Sequence, residues 1–112
     1  METLWGRREI FAYYDVQSIT RPSKNIVRVW ERTDYTEMGV LKVARRAGRE
    51  FRNLKYSQGL YEINCAEKTL RMLSDTKYNN RDEVIYYRTS PLELGFIVPE
   101  STAENLYKAV CK

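Results

Sequence analysis

The 112-residue chain is 43% hydrophobic and 30% charged, carries a net charge of +4 and contains no histidine. This length fits one compact domain, 1–112, and the composition fits a folded chain rather than a disordered one. The residue inventory excludes His-based catalysis and His metal sites. Two cysteines alone cannot build a structural zinc site, so no metal or cofactor is expected.

The first half reads as β. "REIFAYYDVQSIT" places aromatic and β-branched residues in near alternation, as a strand requires. "RPSKN" is a turn cluster, in which Pro22 fixes φ and Asn25 tolerates unusual backbone angles. "NIVRVWERT" follows as the return strand of a hairpin. Val27, Val29 and Glu31 point one way, and Ile26, Arg28, Trp30 and Arg32 the other. Asp15 and Ser18 have the pattern of an Asx-type turn, in which the carboxylate accepts a nearby backbone N–H.

Between residues 37 and 59 the pattern changes. Val40, Ala44, Ala47, Phe51 and Leu54 recur at helical spacing, with Lys42, Arg45, Arg46, Arg49 and Arg52 mostly on the other side. Gly48 weakens that helix by about 1 kcal/mol relative to alanine. The segment reads as a short helix or an irregular crossover.

A meander follows. Tyr61, Ile63 and Cys65 alternate with Leu60, Glu62 and Asn64, "AEK" turns, "TLRMLSDTKY" returns, "NNRDE" turns again and "VIYYR" runs back. The chain closes on a helix. Ser101 and Glu104 have the spacing of a capping box, in which Ser101 accepts a first-turn N–H and Glu104 reaches back to the Ser101 N–H. Pro99 discourages an earlier start. Ala103, Leu106, Tyr107, Val110 and Cys111 form its apolar stripe, so Cys111 faces inward.

Cys65 thus lies on a strand face and Cys111 on a buried helix stripe. They are either joined, if the helix packs on that face in an oxidising compartment, or free and buried in a reducing one. The absence of a C-x-x-C spacing argues against a redox-active pair.

Two surfaces are candidates for binding. If the helix covers the Cys65 face, the other face carries Trp30, Tyr13 and Tyr87. It is then either an open partner or dimer surface, or a second small core beneath the crossover segment. The basic stretch 42–55, with Lys42, Arg45, Arg46, Arg49 and Arg52, is either a solvated face or the binding surface of a polyanion- or nucleic-acid-binding domain, its polyanion an acidic matrix glycan, lipid headgroups or nucleic acid. It carries no nucleic-acid-binding motif, and no specific nucleic acid is expected. Catalysis has no candidate: no base is available to activate Ser18, and Glu62 and Glu67 read as surface charges rather than an acid pair.

Taken together, "YYDVQSITRPSKNIVRVWER", "SQGLYEINCAEKTLRML" with "TKYNN", and "IVPESTAENLYKAVC" resemble the surface-adhesin protein E family of bacterial envelope proteins. The matching positions are Asp15, Ser18, Ile19, Val27, Val29, Trp30, Cys65, Tyr78, Ile97, Pro99, Ser101, Leu106 and Cys111. Asn64 stands where the pattern has Asp, Phe96 where it has Trp, and residues 36–56 match no part of it. The resemblance implies an α+β fold: a mostly antiparallel, meander-like sheet of about five to six strands, with the C-terminal helix tied to one face by Cys65–Cys111. It implies a non-enzymatic envelope protein, in the periplasm or at the outer-membrane surface, with a signal peptide removed upstream. "METLWGRRE" has no signal-like apolar core, and no run approaches the roughly 20 apolar residues of a membrane helix. The partners it implies are host matrix or plasma proteins, such as vitronectin, laminin and plasminogen, or an envelope component, together with a homodimer.

Overall fold

The structure, a computed structural model, describes residues 2–6, 8–89 and 94–112. Among the described residues eight antiparallel strands form one sheet: β1 (Glu2–Gly6), β2 (Ile10–Tyr14), β3 (Thr20–Ser23), β4 (Ile26–Tyr35), β5 (Leu54–Asn64), β6 (Thr69–Asn79), β7 (Val84–Arg88) and β8 (Gly95–Phe96). Helix α1 (Glu37–Ala47) crosses from β4 to β5, and α2 (Thr102–Val110) closes the chain. The order is β1-β2-β4-β5-β6-β7, with β3 also on β4 and β8 also on β6.

The sheet is larger than the five to six strands read from sequence. Part of the difference is that the first strand ends early, at Tyr14, and a separate strand, β3, takes up Arg21, Pro22 and Ser23 of the expected turn cluster, leaving only Lys24 and Asn25 to turn. β2 pairs with the Glu31–Tyr35 end of β4 and β3 with its Ile26–Arg28 end. Between them Asp15 Oδ1 accepts the Gln17 N–H at 3.0 Å, and the chain makes one short 3-10 turn, Val16–Ser18. This local bond replaces ladder bonds that the alternation alone suggested. The remaining added strands, β1 and β8, are short edge strands of five and two residues.

The crossover also divides. α1 starts at Thr36, whose side chain accepts the Gly39 N–H at 3.2 Å, an N-cap that the apolar spacing did not reveal. It ends at Gly48, whose φ of 120° disfavours any residue with a Cβ. Phe51 then lies on a 3-10 turn (Arg49–Phe51) and Leu54 opens β5, so their burial comes from different elements, not one helical stripe.

The core lies between α2 and one face of the central strands. Val27 and Val29 of β4, Ile63 of β5, Ile97, and Leu106 and Val110 of α2 are buried together. Tyr14, Tyr61, Leu70, Cys65 and Cys111 pack around them. The period-two alternation of β4 puts Val27 and Val29 here and sends Arg28 and Trp30 to the opposite face.

Candidate functional site

The C-terminal helix is anchored along its length. Cys65 at the end of β5 and Cys111 at the helix C-cap form a disulfide, with Cα atoms 5.5 Å apart. Beside it, Tyr107 Oη donates to the Cys65 carbonyl at 3.2 Å. Arg21 of β3 donates to the Val110 carbonyl at 2.9 Å, satisfying an end-of-helix acceptor. At the other end Ser101 Oγ accepts the Glu104 N–H at 3.1 Å. Glu104 departs from the expected capping box. It accepts the Glu100 N–H at 3.3 Å, not that of Ser101, because Glu100 turns with φ 59° after Pro99 and brings its own N–H within reach. That backbone bond, with Lys108 and Lys68 nearby, holds the Glu104 carboxyl below the usual carboxylate range.

The opposite sheet face carries the predicted aromatic residues. Cross-strand register lines up Tyr13, Arg32, Gln58, Thr76 and Tyr87 as one row over five strands. At the strand spacing of about 4.8 Å, its ends lie roughly 19 Å apart. Trp30 sits two residues from Arg32 on β4, diagonal to Tyr13. Tyr13 and Trp30 are therefore neighbours, while Tyr87 shares their face at the far edge. Trp30 is 41% exposed, Tyr87 64%, and Phe11 of β2 is also exposed. Along the same face Glu62 holds Arg28 and Arg71, each at 2.9 Å. Burial pushes the Glu62 carboxyl up, but the hydrogen bonds and charges of the two arginines outweigh it and bring it below its ordinary value. Arg32 lies 4.1 Å over the Tyr56 ring, which stacks on Tyr78 at 4.6 Å. The face is thus a lattice of aromatic rings and guanidinium groups.

α1 does not close that lattice. It packs beside Ile10 and Tyr35, on the α2 side of the sheet, and shares with the start of α2 an open pocket of about 450 Å³. Gly39 makes this close approach possible, since a Cβ there would come within 2.0 Å of the Glu9 carbonyl oxygen. Lys42, Arg45 and Arg46 lie on α1, Arg49 on the 3-10 turn and Arg52 at its cap, all exposed. Lys42 stands 3.9 Å from Glu9.

Sequence reasoning missed one chemically unusual residue. Glu31 faces the α2 side and is 93% buried, in a small cavity of about 190 Å³ beneath the start of α2, with Ile10, Tyr61 and Leu106 in its walls. Thr33 Oγ1 donates to Glu31 Oε1 at 2.5 Å, and the Tyr61 hydroxyl also bonds the carboxylate. Burial outweighs both bonds and pushes the Glu31 carboxyl up to about 7. The signal was present: Glu31 is in phase with Val27 and Val29. Among the described residues no group of three or more Asp, Glu or Cys could hold a metal ion.

A single sheet, one face closed by a disulfide-tied helix and the other laid open with aromatic residues, defines a stapled α+β domain. The surface-adhesin protein E model matches residues 4–112, and the chain belongs to that family of adhesin-like surface proteins. Two solved structures share its fold. It is similar to crystal form II of Haemophilus influenzae protein E, at 15% identity and a TM-score of 0.58, over 89% of this chain and 79% of that one. It is similar also to the selenomethionine form of Haemophilus influenzae protein E, at 16% identity and a TM-score of 0.59, over 99% and 92%. No curated protein matches the chain significantly. The family places it at the envelope or cell surface, and among the described residues no helix is long and apolar enough to cross a membrane.

Proposed function

We propose that this protein is a non-enzymatic binding module of the bacterial envelope whose open sheet face receives a protein partner. The observation that carries this reading is the exposure of Trp30 and Tyr87 on a face that also presents Arg28, Arg32 and Arg71. Trp, Tyr and Arg dominate binding energy at protein interfaces: the two aromatics bury large areas with little loss of freedom, and Arg adds charge-assisted, bidentate hydrogen bonds. The partner class that fits the family is a host matrix or plasma protein or an envelope component, with a second copy of the chain as the competing occupant.

The test is binding of the oxidised chain to immobilised vitronectin, laminin and plasminogen, with and without Trp30→Ala and Tyr87→Ala. Binding that the double substitution weakens at least tenfold supports the reading, since each lost anchor costs over 1 kcal/mol. Full binding by the double variant removes the sheet face from the account. Sedimentation of the wild-type chain as a dimer that Trp30→Ala dissolves assigns the face to self-association instead.

A further inference from the structure

The outer surface of α1 has a composition that neither the core nor the open sheet face explains. On a helical projection its solvent arc runs Leu41, Arg45, Met38, Lys42, Arg46, while Gly39, Val40, Val43 and Ala44 turn inward. Met38 is 48% exposed and Leu41 60%, at i and i+3 on the same face. Cations surround them. Residues 37–55 hold six lysines and arginines against two glutamates, an excess equal to the whole net charge of the chain, +4. Among the described residues, Arg45, Arg46, Arg49, Arg52 and Lys55 make no ion pair with a carboxylate.

We propose that this arc of α1 docks the protein reversibly on an anionic phospholipid surface. The charge excess complements acidic headgroups, and each Lys or Arg near such a surface contributes through its potential. Met38 and Leu41 select lipid over a soluble polyanion. Two bare apolar side chains inside a basic arc gain nothing from a sulfated sugar or a nucleic acid backbone, but gain burial at the headgroup–acyl boundary. Arg45, Arg46 and Lys42 lie their stems beside them and keep their charged ends among the phosphates. Two apolar side chains make a weak wedge, so the docking depends on acidic lipid and on salt. The surface uses none of the residues of the sheet-face reading and stands or falls separately from it.

The experiment is co-sedimentation of the full oxidised chain with vesicles of phosphatidylcholine alone, and of phosphatidylcholine mixed with phosphatidylglycerol in equal parts. Retention on a sulfated polysaccharide column runs in parallel. The expected result is binding to the acidic vesicles only, reduced by salt. Arg45→Gln with Arg46→Gln weakens it on the order of twenty-five-fold, roughly fivefold per cation. Met38→Ser with Leu41→Ser weakens vesicle binding roughly tenfold and leaves column retention unchanged. All four side chains are exposed, and thermal unfolding of each variant at the wild-type midpoint shows the fold intact. No binding to acidic vesicles at low salt overturns the proposal, as does equal binding to neutral vesicles. Full vesicle affinity in the Met38→Ser, Leu41→Ser variant also overturns it and leaves a general polyanion patch.

Discussion

Tyr107 Oη donates to the carbonyl of Cys65, the residue whose sulfur is bonded to Cys111. One strand end is thus held to α2 by a hydrogen bond and a covalent bond at adjacent turns of the helix. A nine-residue helix is marginal alone, so its place depends on these ties and on the burial of Leu106 and Val110. The disulfide spans 46 residues, and closing a loop of that size stabilises by about 4 kcal/mol in the chain-entropy account. Cys65→Ala with Cys111→Ala is expected to lose roughly that amount in urea unfolding. Adding Tyr107→Phe is expected to cost about 1 kcal/mol more. A double-cysteine variant as stable as the oxidised protein would show that the helix docks on apolar burial alone.

Glu31 makes stability depend on pH in the opposite direction from ordinary surface carboxylates. Its folded value, about 7, lies above the ordinary 4.5, so between those values the native state binds the extra proton. Its contribution is therefore favourable at and below pH 4.5 and is lost as pH rises toward 7. The full swing is about 3 kcal/mol at 1.36 kcal/mol per pKa unit. Glu31→Gln is expected to flatten the stability profile across this window and to be the more stable protein at pH 8. Equal slopes for the two proteins in urea titrations from pH 4.5 to 8 would contradict the burial of a titrating carboxyl. Glu62 and Glu104, held below their ordinary values, act in the other sense: their contribution is present above the ordinary value and lost as pH falls below it.

Ser18 has a specific structural task. Its Oγ accepts the Trp30 N–H at 3.0 Å and donates to the Asp15 carbonyl at 2.6 Å, continuing the β4 ladder where the neighbouring strand breaks. Ser18→Ala leaves the Trp30 N–H without this partner, at a cost of about 1–2 kcal/mol. Amide hydrogen exchange at Trp30 is expected to speed up, while exchange at Ile63 stays slow. Unchanged exchange at Trp30 would mean that water replaces the hydroxyl at no cost.

Gly39 permits no side chain. A Cβ built there meets the Glu9 carbonyl oxygen at 2.0 Å and its carbonyl carbon at 3.0 Å, and both belong to backbone. Gly39→Ala must push α1 away from the start of β2, stretching the Thr36 N–H to Glu9 carbonyl bond of 3.0 Å. Despite the better helix propensity of alanine, the variant is expected to lose about 1–3 kcal/mol of stability, read as a lower thermal midpoint.

Local chemistry by itself determined the terminal helix, the two faces of β4 and the meander from β5 to β7. A capping serine, an apolar stripe and period-two alternation act over a few residues and survive in any tertiary setting. The pattern of Val27 and Val29 against Arg28 and Trp30 is legible for that reason. The tertiary structure alone decided the rest. β8, of two residues, is too short to show a period, and β1 and β8 are strands through their pairing with β2 and β6. The helical spacing of Phe51 and Leu54 was coincidental, since each is buried by a different element once Gly48 turns the chain. The burial of Glu31 and the openness of the Trp30 face depend on which side α1 and α2 share. That choice is made by contacts between residues far apart in the chain, such as Gly39 with Glu9 and Cys65 with Cys111. No local pattern encodes it, because loop closure and packing, not propensity, select the side.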